Sequence, residues 1–237
     1  MANQSSGEAL ALRELGERAG MVDPTVYVVD DEPAVSRYMQ RLIESSGHRA
    51  ETFSSALAFL RHQRTEGPGC LVLDMCMAEL DGLELQQRLG DQGDLLPIIF
   101  VTGYGSIRTS VQAMKSGAVD FLAKPVDGAE FLAAIEGALE RSRQEWARSR
   151  RAEILRRRFS ALTPREAEVI QRVAQGTLNK QIAVALSVVE KTVKVHRSRA
   201  MQKLGIRSAA ELVHLLSEMN PTGLPPLPPE ERAGTPA

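Results

Sequence analysis

A short apolar run that ends on a carboxylate constrains this chain most. Residues 70–73 (Cys-Leu-Val-Leu) have the composition of a strand buried on both faces, and Asp74 follows directly. In an open parallel sheet, functional side chains lie in the crevice at the carboxyl ends of the strands. The run therefore predicts a parallel sheet with Asp74 at its functional edge. Taken alone, Asp74 has a second reading as an ordinary loop acid, because Asp is common in turns.

The surrounding sequence alternates between strand-like and helical patterns. Strands are predicted at 25–29, 50–53, 70–74, 98–101 and 119–123. Helices are predicted at 34–46, 56–63, 83–89 and 107–116, with a long final helix from 129. Alternation of this kind is typical of α/β folds. It predicts a flavodoxin-like, doubly wound domain built on a five-stranded parallel sheet.

Four of the predicted strands deliver reactive side chains. The first leads into Asp30 and Asp31, the third into Asp74, the fourth into Thr102 and the fifth into Lys124. Three converging carboxylates would repel one another unless a cation such as Mg²⁺ lay between them. With a lysine and a hydroxyl beside them, they supply what a phosphoryl group in transfer needs, and Asp74 would be the nucleophile. Each residue alone reads as a loop acid, a solvated lysine or a strand-end threonine, but their order along the chain favours the site.

The charges are segregated along the chain. Residues 23–128 hold 15 Asp and Glu against 9 Lys and Arg, whereas residues 159–219 hold 9 Lys and Arg against 5 Glu. This asymmetry indicates an ion or phosphate site followed by a part that binds a polyanion. No apolar run reaches the length of a membrane span, and the first residues lack the pattern of a secretory signal. We therefore expect a cytoplasmic protein with no membrane partner.

The basic half of the chain predicts an all-α, four-helix domain. Thr163, Pro164 and Glu166 form a capping-box pattern with proline at the first helical position. Helices are predicted from 164 to a stop at 176, at 179–186, at 190–204, and from a second capping box at 208. The tight connection between the middle pair predicts a helix-turn-helix unit.

The third of these helices carries a stripe suited to DNA. Residues spaced at i, i+3, i+4 and i+7 share one helical face, and here they are Lys191, Lys194, Val195 and Ser198. Two lysines, a hydroxyl and a small apolar group can enter a major groove. Asn179 and Lys180, at the start of the preceding helix, are expected to reach phosphates. The alternative for this helix alone is an amphipathic helix with a solvated basic face.

Four motifs resemble the receiver domain of two-component response regulators. They are Val28-Val29-Asp30-Asp31-Glu32-Pro33, Leu73-Asp74, Val101-Thr102-Gly103 and Asp120-Phe121-Leu122-Ala123-Lys124-Pro125. The resemblance covers about residues 24–145. It implies that Asp74 accepts a phosphoryl group from a sensor histidine kinase. It also implies that Asp31 and Asp74, with the backbone carbonyl of Cys76, bind Mg²⁺, and that Asp30 acts through water.

The same resemblance implies a switch beside the phosphoacceptor. Thr102 and Phe121 fall on the family's switch positions, where a hydroxyl turns toward the phosphate and a ring turns inward. The Lys124–Pro125 peptide is expected to be cis and to aim the ammonium into the site. Tyr104 is expected to shield the acyl phosphate from water.

Three further motifs resemble the LuxR-type output domain of FixJ/NarL-class regulators. They are Leu162-Thr163-Pro164-Arg165-Glu166, Asn179-Lys180-Gln181-Ile182-Ala183 and Lys191-Thr192-Val193-Lys194-Val195-His196-Arg197-Ser198-Arg199. The resemblance adds Thr192 to the DNA-binding residues. Val189 departs from the N-capping Ser or Thr of many relatives, at a cost of about 1 kcal/mol. The last helix is expected to dimerise through Leu212, Leu215 and Leu216, unless these leucines pack into their own domain.

The connector is rich in arginine and has two open readings. Its helix could pair with a second copy through a heptad-like seam, formed by Leu132, Ile135, Leu139 and Trp146. It could equally be a solvated charged linker, because Ser142 and Ser149 interrupt that seam. The domain limits we expect are a flexible extension at 1–23, a receiver at 24–145, a helical linker at 146–158, a LuxR-type domain at 159–219 and a disordered, proline-rich tail at 220–237.

Together these patterns predict a phosphorylation-controlled transcription regulator that is not an enzyme. Expected partners are a sensor histidine kinase, promoter DNA, a second copy of the chain and RNA polymerase, with Mg²⁺ as the cofactor. One alternative is a DNA-binding protein whose receiver is vestigial. The other is an Mg²⁺-dependent phosphatase acting through Asp74.

Overall fold

The computed structural model describes residues 22–103 and 107–219. They divide into two compact units, with the boundary between Arg148 and Ser149. The predictions made for Tyr104, for the tail and for most of the N-terminal extension lie outside the described residues. No helix in the described ranges is long and apolar enough to cross a membrane.

The first unit is a parallel sheet of five strands in the order β2-β1-β3-β4-β5. The strands are β1 (Thr25–Val29), β2 (Arg49–Phe53), β3 (Gly69–Asp74), β4 (Ile98–Thr102) and β5 (Asp120–Ala123). The helices are α1 (Pro33–Ser45), α2 (Ala56–Arg61), α3 (Gly82–Asp91), α4 (Ile107–Lys115) and α5 (Gly128–Ser160). All four strand pairs are parallel. The predicted doubly wound fold is therefore confirmed.

Alternate strand residues fill two cores, one on each face of the sheet. Val26 and Val28 of β1 belong to a core that α1 and α5 cover. Tyr27 and Val29 point to the opposite core, which α2, α3 and α4 cover. A side chain on every second position faces the same side of a strand, so two apolar faces require a strand that is apolar throughout. This is why β1, β3 and β4 are fully buried.

The interpretation of α5 as a helix that pairs with a second copy through a heptad-like seam is wrong. Ile135 and Leu139 have no exposed surface and pack into the core of their own unit. Ser142 continues this buried face, because its Oγ accepts a hydrogen bond of 2.9 Å from the backbone N–H of Gly69. A hydroxyl that satisfies a buried amide at the start of β3 extends the core contact instead of interrupting a dimer seam. The helix itself continues through 146–158, as expected.

The second unit is helical, as predicted. It contains the end of α5 and four further helices, α6 (Pro164–Ala174), α7 (Asn179–Ala185), α8 (Glu190–Leu204) and α9 (Ala209–Met219). Their shared core is formed mainly by Val169, Ile170, Ile182, Val193, Leu204 and Leu212. The connection between α7 and α8 turns at Ser187, which has a φ of 53°. The arrangement confirms the four-helix, helix-turn-helix prediction.

The first capping box is present and is tied to α8. Thr163 Oγ1 accepts the N–H of Glu166 at 3.3 Å, and a Glu166 carboxylate oxygen accepts the N–H of Thr163 at 2.9 Å. Lys203 on α8 donates to the same oxygen at 2.7 Å. Burial alone would raise the pKa of Glu166, but the hydrogen bonds and the positive charge of Lys203 outweigh it and lower that pKa.

Candidate functional site

Three carboxylates meet at the carboxyl edge of the sheet. Asp30 follows β1, Asp31 is its neighbour, and Asp74 ends β3, which is hydrogen-bonded beside β1. Oxygens of all three carboxylates lie within 4.8 Å of one another. Asp30 and Asp74 are buried, whereas Asp31 is exposed. The three acids therefore lie together at the sheet edge, where the sequence predicted them.

Lys124 supplies the positive charge of this cluster. Its Nζ lies 2.8 Å from Oδ2 of Asp74, to which it donates a hydrogen bond. It also lies 2.9 Å from Oδ2 of Asp30, an ion-pair contact without hydrogen-bond alignment, and 3.2 Å from Glu32 on the exposed side. One ammonium therefore faces two buried carboxylates at once.

Burial and neighbouring charges act against each other in setting the pKa values of Asp30 and Lys124. Burial raises the pKa of Asp30 above its ordinary value, and the contact with the Lys124 ammonium and the hydrogen bond from the Glu32 N–H offset only part of that rise. Burial alone would lower the pKa of Lys124, but Asp74 and Asp30 outweigh it and raise that pKa. The lysine is therefore charged, and it balances less negative charge than the carboxylates carry.

Backbone hydrogen bonds and a close approach between Gly82 and the end of β3 hold the loop after Asp74. The N–H of Cys76 donates to Oδ1 of Asp74 at 3.1 Å, and the N–H of Gly82 donates to the carbonyl of Met75 at 3.0 Å. A Cβ on Gly82 would lie 2.6 Å from the carbonyl oxygen of Asp74 and 2.8 Å from the ring of Phe100. Only glycine fits there. The contact of Gly82 with the acceptor strand is visible only in the fold.

The predicted switch residues lie on the two neighbouring strands. Thr102 ends β4 and is buried, and its carbonyl accepts the N–H of Lys124 at 2.8 Å. Phe121 on β5 is half-buried, with its ring centroid 6.4 Å from that of Phe100. The Lys124–Pro125 peptide is cis. These positions put Lys124 and the end of β4, which carries the hydroxyl of Thr102, beside Asp74. The switching roles of Thr102 and Phe121 stay predictions.

The donor set fits a hard divalent cation. Carboxylate oxygens are the ligands that Mg²⁺ prefers, and it usually keeps several waters when one or two carboxylates bind it. Two buried acids beside one exposed acid offer such a partial set. Negative charge exceeds the single ammonium, so a cation would relieve repulsion at this edge.

The second unit presents the predicted DNA-reading stripe. Lys191, Lys194, Val195 and Ser198 are all exposed on α8. Thr192 is half-buried and is less accessible than the stripe. Asn179 accepts a 3.0 Å hydrogen bond from Arg197, so the start of α7 is tied to α8, and Lys180 beside it is exposed. The structure thus brings these residues together on one helix-turn-helix unit.

The expected dimer contacts on α9 need correction. Leu212 is fully buried and Leu216 is 8% exposed, and both belong to the core of their own domain. Leu212 cannot contact a second copy without unpacking that core, so its assignment to a dimer interface is wrong. Leu215 is half-buried against the same core. Val213 of the same helix, which was not among the expected dimer contacts, is 51% exposed.

Two family models match the chain. The model described as the response regulator receiver domain matches residues 26–136. The model described as bacterial regulatory proteins of the luxR family matches residues 160–216.

Named relatives match both parts together. The response regulator protein TodT of Pseudomonas putida is 39% identical over 208 residues, which cover 88% of this chain and 90% of TodT. The transcriptional regulatory protein FixJ of Azorhizobium caulinodans is 39% identical over 194 residues, which cover 80% of this chain and 90% of FixJ. Both relatives are named as regulators.

Solved structures agree with this assignment. The response regulator StyR matches with a TM-score of 0.78 and 45% identity, over 83% of this chain and 100% of StyR. Full-length FixJ from B. japonicum matches with a TM-score of 0.51 and 35% identity, over 82% of this chain and 96% of FixJ. The chain therefore belongs to the two-component response regulators that join a receiver domain to a LuxR-type DNA-binding domain.

Proposed function

We propose that this chain is a DNA-binding transcription regulator that a sensor histidine kinase controls by phosphorylating Asp74. The observation that carries the proposal is the cluster at the sheet edge, where Asp74 lies among acids within 4.8 Å and 2.8 Å from the ammonium of Lys124. A nucleophilic carboxylate with a cation fixed beside it is suited to phosphoryl transfer, where positioning and charge stabilisation supply most of the catalysis.

The transfer uses groups of this chain on both sides of the phosphorus. A carboxylate oxygen of Asp74 attacks the phosphorus of a phosphohistidine, so a P–O bond forms while the P–N bond breaks and the histidine nitrogen keeps the electron pair. Lys124 meets the negative charge that develops on the phosphoryl oxygens. Thr102 stands at the neighbouring strand end, where its hydroxyl can donate to one of those oxygens.

Receiver domains bind Mg²⁺ beside the phosphoaccepting aspartate, and the acids of this chain fit that ion. Asp31 and Asp74 would hold it with the backbone carbonyl of Cys76, and Asp30 would act through water. When bound, Mg²⁺ supplies positive charge that offsets the acids and lets a negatively charged phosphoryl group approach.

Phosphorylation would then change the DNA-binding state of the protein. The acyl phosphate carries a charge of nearly −2 where the free carboxylate of Asp74 carried −1, and it places that charge on phosphoryl oxygens further into the site, which biases Thr102 and Phe121 toward a second arrangement. In that state the chain dimerises or releases its output domain, and two α8 helices dock on half-sites about one helical turn apart. The regulator would act in the cytoplasm, with RNA polymerase as a further partner at the promoter.

The test is DNA affinity with and without phosphodonor. The full chain is titrated against promoter DNA in Mg²⁺, with and without acetyl phosphate, as wild type, as Asp74→Asn and as Asp91→Asn. Asp91 is an exposed acid at the end of α3 and serves as the matched control. We expect acetyl phosphate to tighten binding by about tenfold or more for wild type and Asp91→Asn only. Unchanged affinity and oligomeric state in all three proteins would instead support a vestigial receiver.

A further inference from the structure

An acidic residue stands within the DNA-reading surface of α8. Glu190 is the first residue of the helix, and its carboxylate lies 2.9 Å from the ammonium of Lys194 one turn later. The side chains are 44% and 62% exposed, so the pair faces solvent. Lys194 belongs to the outward stripe that also carries Lys191 and Val195. Glu190 therefore extends this stripe toward the end of the helix that contacts base edges in such domains.

Helix stability explains an acid at this position only in part. Val189 at the N-cap makes no side-chain hydrogen bond, and a negative charge in the first turn favours the helix dipole. Yet an acid on a surface that approaches DNA repels phosphates and weakens binding. Within the major groove that repulsion is offset where the carboxylate meets an amino group, as it does on cytosine N4.

The spacing of the ion pair matches a base-pair edge. In a C·G pair, guanine O6 accepts a hydrogen bond from cytosine N4, so this acceptor and donor lie about 3 Å apart. The Lys194 ammonium and the Glu190 carboxylate present a donor and an acceptor 2.9 Å apart. Guanine offers the ammonium two adjacent acceptors, O6 and N7, whereas an A·T pair places its single donor between its acceptors and adds a methyl group.

We propose that Glu190 and Lys194 together read one C·G base pair in each half-site. Lys194 donates to guanine O6 and N7, and Glu190 accepts from cytosine N4. The ion pair favours this orientation of both side chains before DNA arrives, which lowers the side-chain entropy lost on recognition. This inference rests on the proposed DNA-binding function and adds to it a specificity-determining residue, Glu190, and the base pair it selects.

The test is selection from a random DNA duplex pool by the full chain. Wild type, Glu190→Ala and Glu168→Ala are compared, and the bound duplexes are sequenced. Glu168 pairs with Arg165 within α6 and is not part of the stripe on α8. Its variant therefore removes the same charge and side chain from the same domain without changing that stripe. We expect wild type and Glu168→Ala to prefer C·G at one position of each half-site by about tenfold or more. Glu190→Ala should lose that preference and keep the others.

A second variant guards against misfolding. Glu190→Gln keeps the side-chain length, and we expect its preference at that position to move toward A·T because Gln pairs with adenine N6 and N7. The inference is overturned if Glu190→Ala binds every sequence more tightly with unchanged preferences, since Glu190 would then act only as a repulsive or helix-stabilising charge. It is also overturned if the affected position is not C·G. Failure of the wild type to enrich any sequence would instead count against DNA binding itself.

Discussion

Lys124 and Asp74 are joined across the carboxyl edge of the sheet, with Nζ of the lysine 2.8 Å from Oδ2 of the aspartate. The same ammonium lies 2.9 Å from Oδ2 of Asp30. Strand pairing produces this contact, because β4 lies between β3 and β5 and the lysine follows β5 directly. The acid and its cation therefore come from segments 50 residues apart in the chain.

Removing the charge of Lys124 should slow phosphorylation of Asp74. In Lys124→Gln a neutral amide replaces the ammonium that meets charge developing on the phosphoryl oxygens. Loss of one such preorganised donor costs about a hundredfold in rate. The rate is measured with radiolabelled acetyl phosphate in saturating Mg²⁺. Arg37→Gln, at an exposed position of α1, is the control and should react like wild type; equal rates for Lys124→Gln and wild type would contradict the role of the lysine.

Neutralising Asp30 should stabilise the protein in metal-free buffer. Burial raises the pKa of Asp30 above 3.8, so the folded state binds this proton more tightly than the unfolded chain does. The resulting stability is complete below that value and is lost as pH rises through the higher folded pKa. Asp30→Asn removes this loss, so its free energy of unfolding should exceed that of wild type at neutral pH.

Chemical denaturation across pH, with and without Mg²⁺, measures both effects of Asp30→Asn. Mg²⁺ should stabilise wild type more than the variant, because the variant has one acid fewer to offset. A variant that is less stable than wild type at neutral pH without metal would show that the contact with Lys124 outweighs the burial of the acid.

Supplying the missing N-cap should stabilise the output domain. Val189 is 68% exposed and leaves the first N–H groups of α8 without a side-chain acceptor. Val189→Ser adds that acceptor, and we expect the free energy of unfolding to rise by about 1 kcal/mol. Val184→Ser changes a valine that is 77% exposed inside α7, so it tests the same chemistry away from a cap. Thermal unfolding that moves equally for both variants would contradict the capping argument.

Residues at strand ends were predictable because parallel strands share one functional edge. The order of Asp30, Asp74, Thr102 and Lys124 along the chain requires only that each strand be recognised, since strand direction then places the side chains together. Hydrophobic runs and turn residues identify such strands locally. The same local signals gave the helix-turn-helix unit, with Thr163 and Glu166 forming the expected reciprocal bonds.

Contacts between distant segments were not predictable from pattern. Apolar spacing on a helix shows that a face is buried but not against what. This is why the pattern left a dimer interface open for Ile135 and favoured one for Leu212, whereas both residues lie in their own cores. Ser142 looked like an interruption because its partner, the N–H of Gly69, is 73 residues away. The bond from Lys203 to Glu166 likewise depends on how α6 and α8 pack.

The central claim is that the carboxylate of Asp74 captures the phosphoryl group, and mapping the modified residue tests it most directly. The full chain is incubated with acetyl phosphate and Mg²⁺, treated with borohydride to reduce the acyl phosphate, digested and sequenced by mass spectrometry. We expect homoserine at position 74 of the wild type and an unmodified peptide from Asp74→Asn. A reduced residue at Asp30, at Asp31 or elsewhere, with Asp74 intact, would contradict it.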